Sequence, residues 1–392
     1  MKVYNKIKDL TTLYHDEVVS IRRYLHKNSE LSFVEFNTSA FIQKKLNEYG
    51  ISFKTAFVKT GIVAIIEGDK PTGKCIALRA DIDALPIQEA NNVEYRSLND
   101  GVMHACGHDY HTASLLGVAK VLNETKEHWS GIVKLIFQPG EEMLPGGASL
   151  MIKEGVLKNP DVDLILGQHV SPELLSGTVG IKEGLFMASA DELYIDVIGI
   201  GGHAAIPDNN INPLKIGAKI ITALYERFDS EENTILSLGA INGGSLGNIV
   251  PEIVKIKGTF RAMDEKWRSE AHEEIRKICM DVAKEKGGNC ELEIRVGYPF
   301  LNNDNNLSLF CIKEAKQILG ADAVIDIPKR MTAEDFAFYS HHVPACFYRI
   351  GVGFEGEPQR KLHNSKFDVE ETSLLTSVEL MATLTLSLLR RK

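Results

Sequence analysis

The run Met103-His104-Ala105-Cys106-Gly107-His108-Asp109-Tyr110-His111 sets three histidines and one cysteine close together, and Gln138-Pro139-Gly140-Glu141-Glu142 ends in adjacent carboxylates. Thiolate, imidazole and carboxylate are the ligands of zinc and other late first-row divalent ions. Cys106 and His108 stand either side of a glycine that permits a tight turn, so both side chains can converge on one ion. His104, His108 and His111 could instead share one helical face. Adjacent residues in extended backbone point apart. One of Glu141 and Glu142 can therefore bind metal while the other faces a water, the division of labour that metal-assisted hydrolysis needs.

Other residues gain weight from these two runs. Asp81 and Asp83 stand two apart at the end of an apolar segment, on one side of an extended chain. Such like charges need a cation, Arg79 or an imidazole to hold them. Alone, they would read as turn caps. His169 and His363 each follow an apolar strand-length segment. A lone histidine is more often structural, and their value lies in where a sheet would gather them. Gly199-Ile200-Gly201-Gly202-His203 has the wrong glycine spacing for a dinucleotide loop, so His203 reads better as reaching towards a ligand. Asn248 adds an amide, and Arg261 could clamp a carboxylate bidentately or be a solvated strand arginine. Residues 332–336 read as a capped helix start, with Glu334 a supporting partner or a cap.

The elements that must position these residues alternate. Helices are expected at 9–27, 32–49, 111–122 and 147–154. Apolar strands are expected at 61–67, 75–80, 131–137 and 164–167. The pattern predicts an α/β fold, a mostly parallel sheet flanked by helices, with ligands at the carboxyl edge of its strands. From residue 188 the order becomes strand (192–198), helix (213–227, capped by Asn212), strands (235–241, 253–260), helix (266–286) and strand (290–296). This is the split βαβ order of a ferredoxin-like α+β domain. The chain thus reads as one domain of residues 1–187 and 299–392, interrupted by another at 188–298. A helix near 307–319, a strand near 346–350 and a helix from 371 complete the first.

At 392 residues, two domains are the natural expectation. A net charge of −9 disfavours nucleic acid. The N-terminus has no secretory pattern, and no apolar stretch looks long enough to span a bilayer. Six scattered cysteines suit a reducing, cytoplasmic setting.

In this order, these motifs resemble the M20 metallopeptidase family, in particular its amidohydrolase branch of N-acyl-amino-acid, hippurate and indole-acetyl-amino-acid hydrolases and N-acetyldiaminopimelate deacetylases. The resemblance implies a metallo-exopeptidase-like catalytic domain and an inserted lid and dimerisation domain. It implies Cys106, His108, Glu142, His169 and His363 as ligands for two divalent ions (zinc, manganese, cobalt or nickel) and Glu141 as the base. Asp83 best matches the supporting aspartate, with Asp81 its competitor. Asp81 stands where peptidase members carry a histidine, and with Cys106 that departure favours the amidohydrolase branch. His203 would reach a partner subunit's site in a homodimer, where Asn248 and Arg261 hold a substrate carboxylate. Pro207 is followed by Asp208 where a histidine is common.

The expected reaction is hydrolysis of an N-acyl amino acid to a carboxylic acid and a free amino acid. The rivals are a dipeptidase or aminopeptidase, and a non-catalytic metal or amino-acid binding protein.

Overall fold

The structure is a computed structural model in which residues 2–206 and 210–391 are described; Pro207 and Asp208 fall outside them. In chain order the first elements are α1 (Lys2–Lys27), α2 (Phe36–Glu48), β1 (Ser52–Phe57), β2 (Gly61–Glu67) and β3 (Lys70–Asp81). There follow α3 (His108–Glu124), β4 (Ser130–Gln138), α4 (Gly147–Lys153), β5 (Leu164–Leu175), β6 (Val179–Gly180) and β7 (Gly184–Met187). The middle holds β8 (Asp191–Ile198), β9 (Gly202–His203), α5 (Pro213–Phe228), β10 (Thr234–Asn242), β11 (Ile249–Val250), β12 (Ile253–Ala262), α6 (Glu265–Glu285) and β13 (Asn289–Val296). The chain closes with β14 (Leu301–Asn303), α7 (Asn305–Leu319), β15 (Val324–Ile325), α8 (Ala337–Ser340), β16 (Ala345–Gly353) and α9 (Ser373–Arg390).

Two compact units result. The first comprises residues 1–184, 302–328 and 335–392, the second 185–301 and 329–334. The second thus takes a short piece, 329–334, that the sequence reading left with the first. Hydrogen bonds from Arg330 N to Phe186 O and from Ala188 N to Arg330 O explain why.

The first unit is built on an eight-stranded sheet of order β1-β2-β4-β3-β5-β16-β6-β15. Its centre, β4-β3-β5-β16, is parallel throughout. β2, β4 and β16 are buried along nearly their whole length, the pattern of a mostly parallel sheet covered by helices. The sheet is therefore the mostly parallel, helix-flanked one that the alternation implies. α1 begins seven residues before the expected position 9, because Val3 and Ile7 continue the buried stripe of Val18, Ile21 and Leu25. α2 begins at Phe36 rather than 32, and residues 32–35 are irregular. The sequence reading placed neither β1 nor the length of β5, which runs eight residues past Gly167.

α9 is, by length and composition, apolar enough to cross a membrane, contrary to the expectation that no stretch was. Its window is 72% buried within the protein, so its leucines serve a core. Its polar groups find partners there: Ser377 Oγ lies 2.6 Å from Ser114 Oγ, and Thr385 Oγ1 donates to Met381 O.

The second unit is a four-stranded antiparallel sheet of order β10-β12-β8-β13. Numbered as they occur in this unit, the strands lie 2-3-1-4, the ferredoxin-like arrangement. Leu193, Ile195 and Val197 of β8 alternate inward against Ile216, Ile220 and Leu224 of α5 and Ile275 and Cys279 of α6. Asn212 caps α5 by accepting from Leu214 N, as its position before Pro213 suggests.

Candidate metal centre

Three loops and one strand of the first unit bring the site together. Gly107 turns the chain between Cys106 and the first residue of α3, His108, at φ +84°, and a Cβ there would meet Val170 Cγ2 at 2.5 Å. Only glycine fits this turn, and it aims Cys106 and His108 to one side. The loop after β16 arrives through the hydrogen bond from His363 N to Ala105 O, 2.8 Å, with His363 itself at φ +56°. Cys106 Sγ consequently lies 3.2 Å from His363 Nε2 and 3.3 Å from His169 Nε2. His169 sits within β5, not at its carboxyl end as expected, because that strand continues to Leu175.

Glu142 Oε1 stands 3.3 Å from His363 Nε2 and 3.9 Å from His108 Nε2. Of the five side-chain groups among the described residues with donor atoms within 4.8 Å of one another, two, Cys106-His108-His169 and Cys106-Glu142-His363, share Cys106 and form candidate ligand sets. Glu141 does not point away from Glu142 as extended backbone would require. Residues 141–142 form a turn, so both carboxylates come within 4.8 Å of His108. Glu141 is 6% exposed, and its Oε1 accepts the Asp335 N–H at 3.3 Å.

The supporting groups fix which nitrogen of each histidine faces the centre. His108 Nδ1 meets Asp83 Oδ1 at 3.2 Å, leaving Nε2 buried without a hydrogen-bond partner. His169 donates Nδ1–H to Val170 O at 2.8 Å, leaving Nε2 to face Cys106. His111 is occupied on both sides: Nδ1 bonds Asp81 Oδ1 at 2.6 Å, and Nε2 accepts the Val170 N–H at 3.0 Å. The shared helical face of His104, His108 and His111 is not formed, because α3 begins at His108. His104 lies before it, buried, and desolvation lowers its pKa to about 4.

Asp81 and Asp83 divide their partners. Asp81 is held by Arg79 (2.6 Å) and by His111, a guanidinium and an imidazole, two of the alternatives expected to hold such carboxylates. Asp83 takes His108, the Ser32 hydroxyl (2.6 Å) and the Glu142 N–H (3.0 Å). Burial alone would raise both carboxyls, yet His108, with His111 and Arg79 at Asp81 and with Ser32 and the Glu142 N–H at Asp83, holds both below the usual range. Sequence reasoning passed over Gln138 and Asp335. Arg79 and Gln138 both bond Asp335, whose Oδ2 also accepts the Ala148 N–H. Thr332 and Glu334 do not cap a helix at 332–336; α8 starts later, at Ala337, without a side-chain cap.

The donor set fits cations. Four carboxylates converge on His108, and His108 Nε2 and Glu142 Oε1 are both buried without hydrogen-bond partners. Burial opposes charge on His108, but Asp81 and Asp83 outweigh it and push the imidazole up to about 10. Burial, then Glu142 and Glu141, push the Cys106 thiol well up. A bound divalent cation would relieve such a cluster while leaving thiolate and imidazole as ligands.

The remaining expected residues belong to the second unit. His203 is exposed, with Nδ1 accepting from Ala205 N at 3.1 Å, which leaves Nε2 available. The short β9–β11 ladder pairs His203 with Ile249, and Ala204 N donates to Asn248 O, so His203 and the exposed Asn248 are neighbours. Arg261 lies on β12 and donates to Thr259 Oγ1 at 3.0 Å.

Fold and site together define a metal-dependent hydrolase of amide bonds. The chain belongs to the peptidase family M20/M25/M40, whose model matches residues 77–387. It is 37% identical to an N-acetyl-L-cysteine deacetylase of Bacillus subtilis over 94% of this chain and 86% of that protein. It is 35% identical to a hippurate hydrolase of Campylobacter jejuni, over 95% and 97%. A solved Bacillus subtilis structure, described as a dinuclear metal-binding peptidase of the M20 family, superposes with a TM-score of 0.83. Its identity is 33%, with 96% of this chain and 99% of that one covered. The ligand sets and this neighbour support two divalent ions.

Proposed function

We propose that this protein hydrolyses the amide bond of N-acyl amino acids, of acetyl, benzoyl or indole-acetyl type, to a carboxylic acid and a free amino acid. The observation that carries the reading is Cys106 Sγ between His169 and His363, with Glu142 on the same ligand set and Glu141 beside it. The names of the deacetylase and hippurate-hydrolase relatives support the substrate class.

Two bound divalent ions would polarise the acyl carbonyl and lower the pKa of water. The thiolate and imidazole donors suit zinc best, with manganese, cobalt and nickel as its rivals. Cys106, His108, Glu142, His169 and His363 hold the ions, and Asp83 orients His108. Glu141 takes a proton from the attacking water and returns it to the amine nitrogen as the carbon–nitrogen bond breaks. The Asp335 N–H holds Glu141 Oε1 at 3.3 Å and so fixes where the carboxylate stands. Asp81, tied to Arg79 and His111, braces the back of the site.

The protein acts as a homodimer through the second unit. β10 is one of the two outer strands of that sheet, nine residues long, with Ile235 and Ile241 exposed, an edge open to pairing with a second copy. In that dimer His203 serves the partner's site and stabilises the oxyanion, while Asn248 and Arg261 hold the substrate carboxylate. A cytoplasmic setting accords with six free cysteines.

The test is hydrolysis of a panel of acetyl, benzoyl and indole-acetyl amino acids, beside unblocked dipeptides, by protein loaded separately with zinc, manganese, cobalt and nickel. Release of amino acid from the acylated compounds alone is expected. Preference for dipeptides, or inertness of every loaded form, would reject the reading.

A further inference from the structure

Residues 30–35, of which 32–35 are irregular where a helix was expected, bond to both turns that carry the site. Ala84 N donates to Glu30 O at 2.8 Å, and the Ser32 hydroxyl donates to Asp83. The same segment reaches the turn of Glu141 and Glu142. Glu35 is fully buried, and its Oε1 accepts the N–H groups of Phe33 (2.8 Å) and Gly140 (2.9 Å). Its Oε2 accepts the Thr60 hydroxyl at 2.6 Å. Gly140 has φ +62°, and a Cβ there would meet the Phe33 ring at 2.3 Å. Phe33 is itself at φ +65°, a conformation that costs a bulky residue energy and is held here by the Glu35 bond to its N–H.

A buried carboxylate is an expensive way to hold a loop, and its three acceptor contacts fix both its length and its direction. We propose that Glu35 is a positioning residue for the hydrolysis: by holding the Gly140 N–H it sets where the Glu141 carboxylate stands relative to the ligand set. The inference rests on Glu141 being the base. Glu35 itself touches neither substrate nor ligand; it acts through one backbone N–H, one residue before Glu141. A small error in that position is costly, because proton transfer needs the carboxylate within hydrogen-bond reach of its target.

Two variants test this. Glu35→Asp keeps the charge but withdraws the oxygens by one methylene. Glu35→Gln keeps the length and an oxygen for Gly140, while its amide can donate to Thr60 Oγ1. The aspartate variant should lose kcat by about tenfold to a hundredfold, with KM and bound metal as in the parent protein. The glutamine variant should recover most of that loss. Parental kcat in Glu35→Asp, equal losses in both variants, or loss of metal or fold in Glu35→Asp would each overturn the proposal. Glu141→Gln, assayed in parallel, separates the two readings. Turnover retained there removes the base assignment, whereas an inert Glu141→Gln beside a fully active Glu35→Asp removes only the role of Glu35.

Discussion

Asp83 Oδ1 lies 3.2 Å from His108 Nδ1, and this contact turns the other imidazole nitrogen into the ligand set. A ligand histidine so oriented depends on its carboxylate for tautomer and basicity. Asp83→Asn should therefore weaken metal binding by about tenfold to a hundredfold, although Asp83 is not in the ligand set. Titration calorimetry of the metal-depleted variant checks this. Unchanged affinity would transfer the supporting role to Asp81.

Glu141 accepts the Asp335 N–H and has a carboxylate oxygen within 4.8 Å of His108 and Glu142. Glu141→Gln keeps its shape and removes its basicity. It should lose about a hundredfold to ten-thousandfold in kcat, the usual worth of a positioned general base. Metal content, measured by elemental analysis, should stay that of the parent. A variant that turns over normally has its base elsewhere.

Burial, with Asp83 near it, pushes the Glu35 carboxyl up to about 7 from its ordinary 4.5. Between those values the folded chain holds a proton that the unfolded chain has lost. The stabilisation is thus complete below pH 4.5 and disappears as pH rises through about 7. In metal-depleted protein, Glu35→Gln should flatten this part of the stability profile, removing a slope of up to about 1.4 kcal/mol per pH unit. Urea unfolding across that range gives the comparison, and identical profiles would deny the raised carboxyl.

Arg22 of α1 is fully buried and bonds Asp109 (2.8 Å), Asp368 (3.0 Å) and Glu371 (3.2 Å). Asp109 follows His108, and Asp368 and Glu371 follow the loop of His363, so one guanidinium ties the segments that carry these two histidines. Arg22→Met would strand carboxylates in the interior and should cost about 3–5 kcal/mol. Denaturant unfolding measures it; a loss below about 1 kcal/mol would mean the network is solvated, as exposed pairs are.

Much of the site was legible because its chemistry is local. Cys106, Gly107 and His108 are consecutive, as are Glu141 and Glu142, and ligand types so close together restrict the ions that suit them. The second unit was legible for a similar reason: alternation along β8 and the cap at Asn212 are short-range signals. Residues 32–35 were misread as helix because their apolar and polar residues fit a helical period, while the bonds that hold them to Thr60 and Gly140 come from distant parts of the chain.

The sequence by itself determined the donor types, the glycine that turns between them and the order of strands and helices, since each depends on residues a few positions apart. Tertiary structure decided that His169 and His363 meet at Cys106, that His108 pairs with Asp83 while Asp81 goes to Arg79 and His111, and that both glutamates face one centre. Those outcomes follow from the parallel register of β3, β5 and β16 and from the single backbone bond between His363 and Ala105. Such contacts join residues tens to hundreds of positions apart, where no spacing along the chain records them.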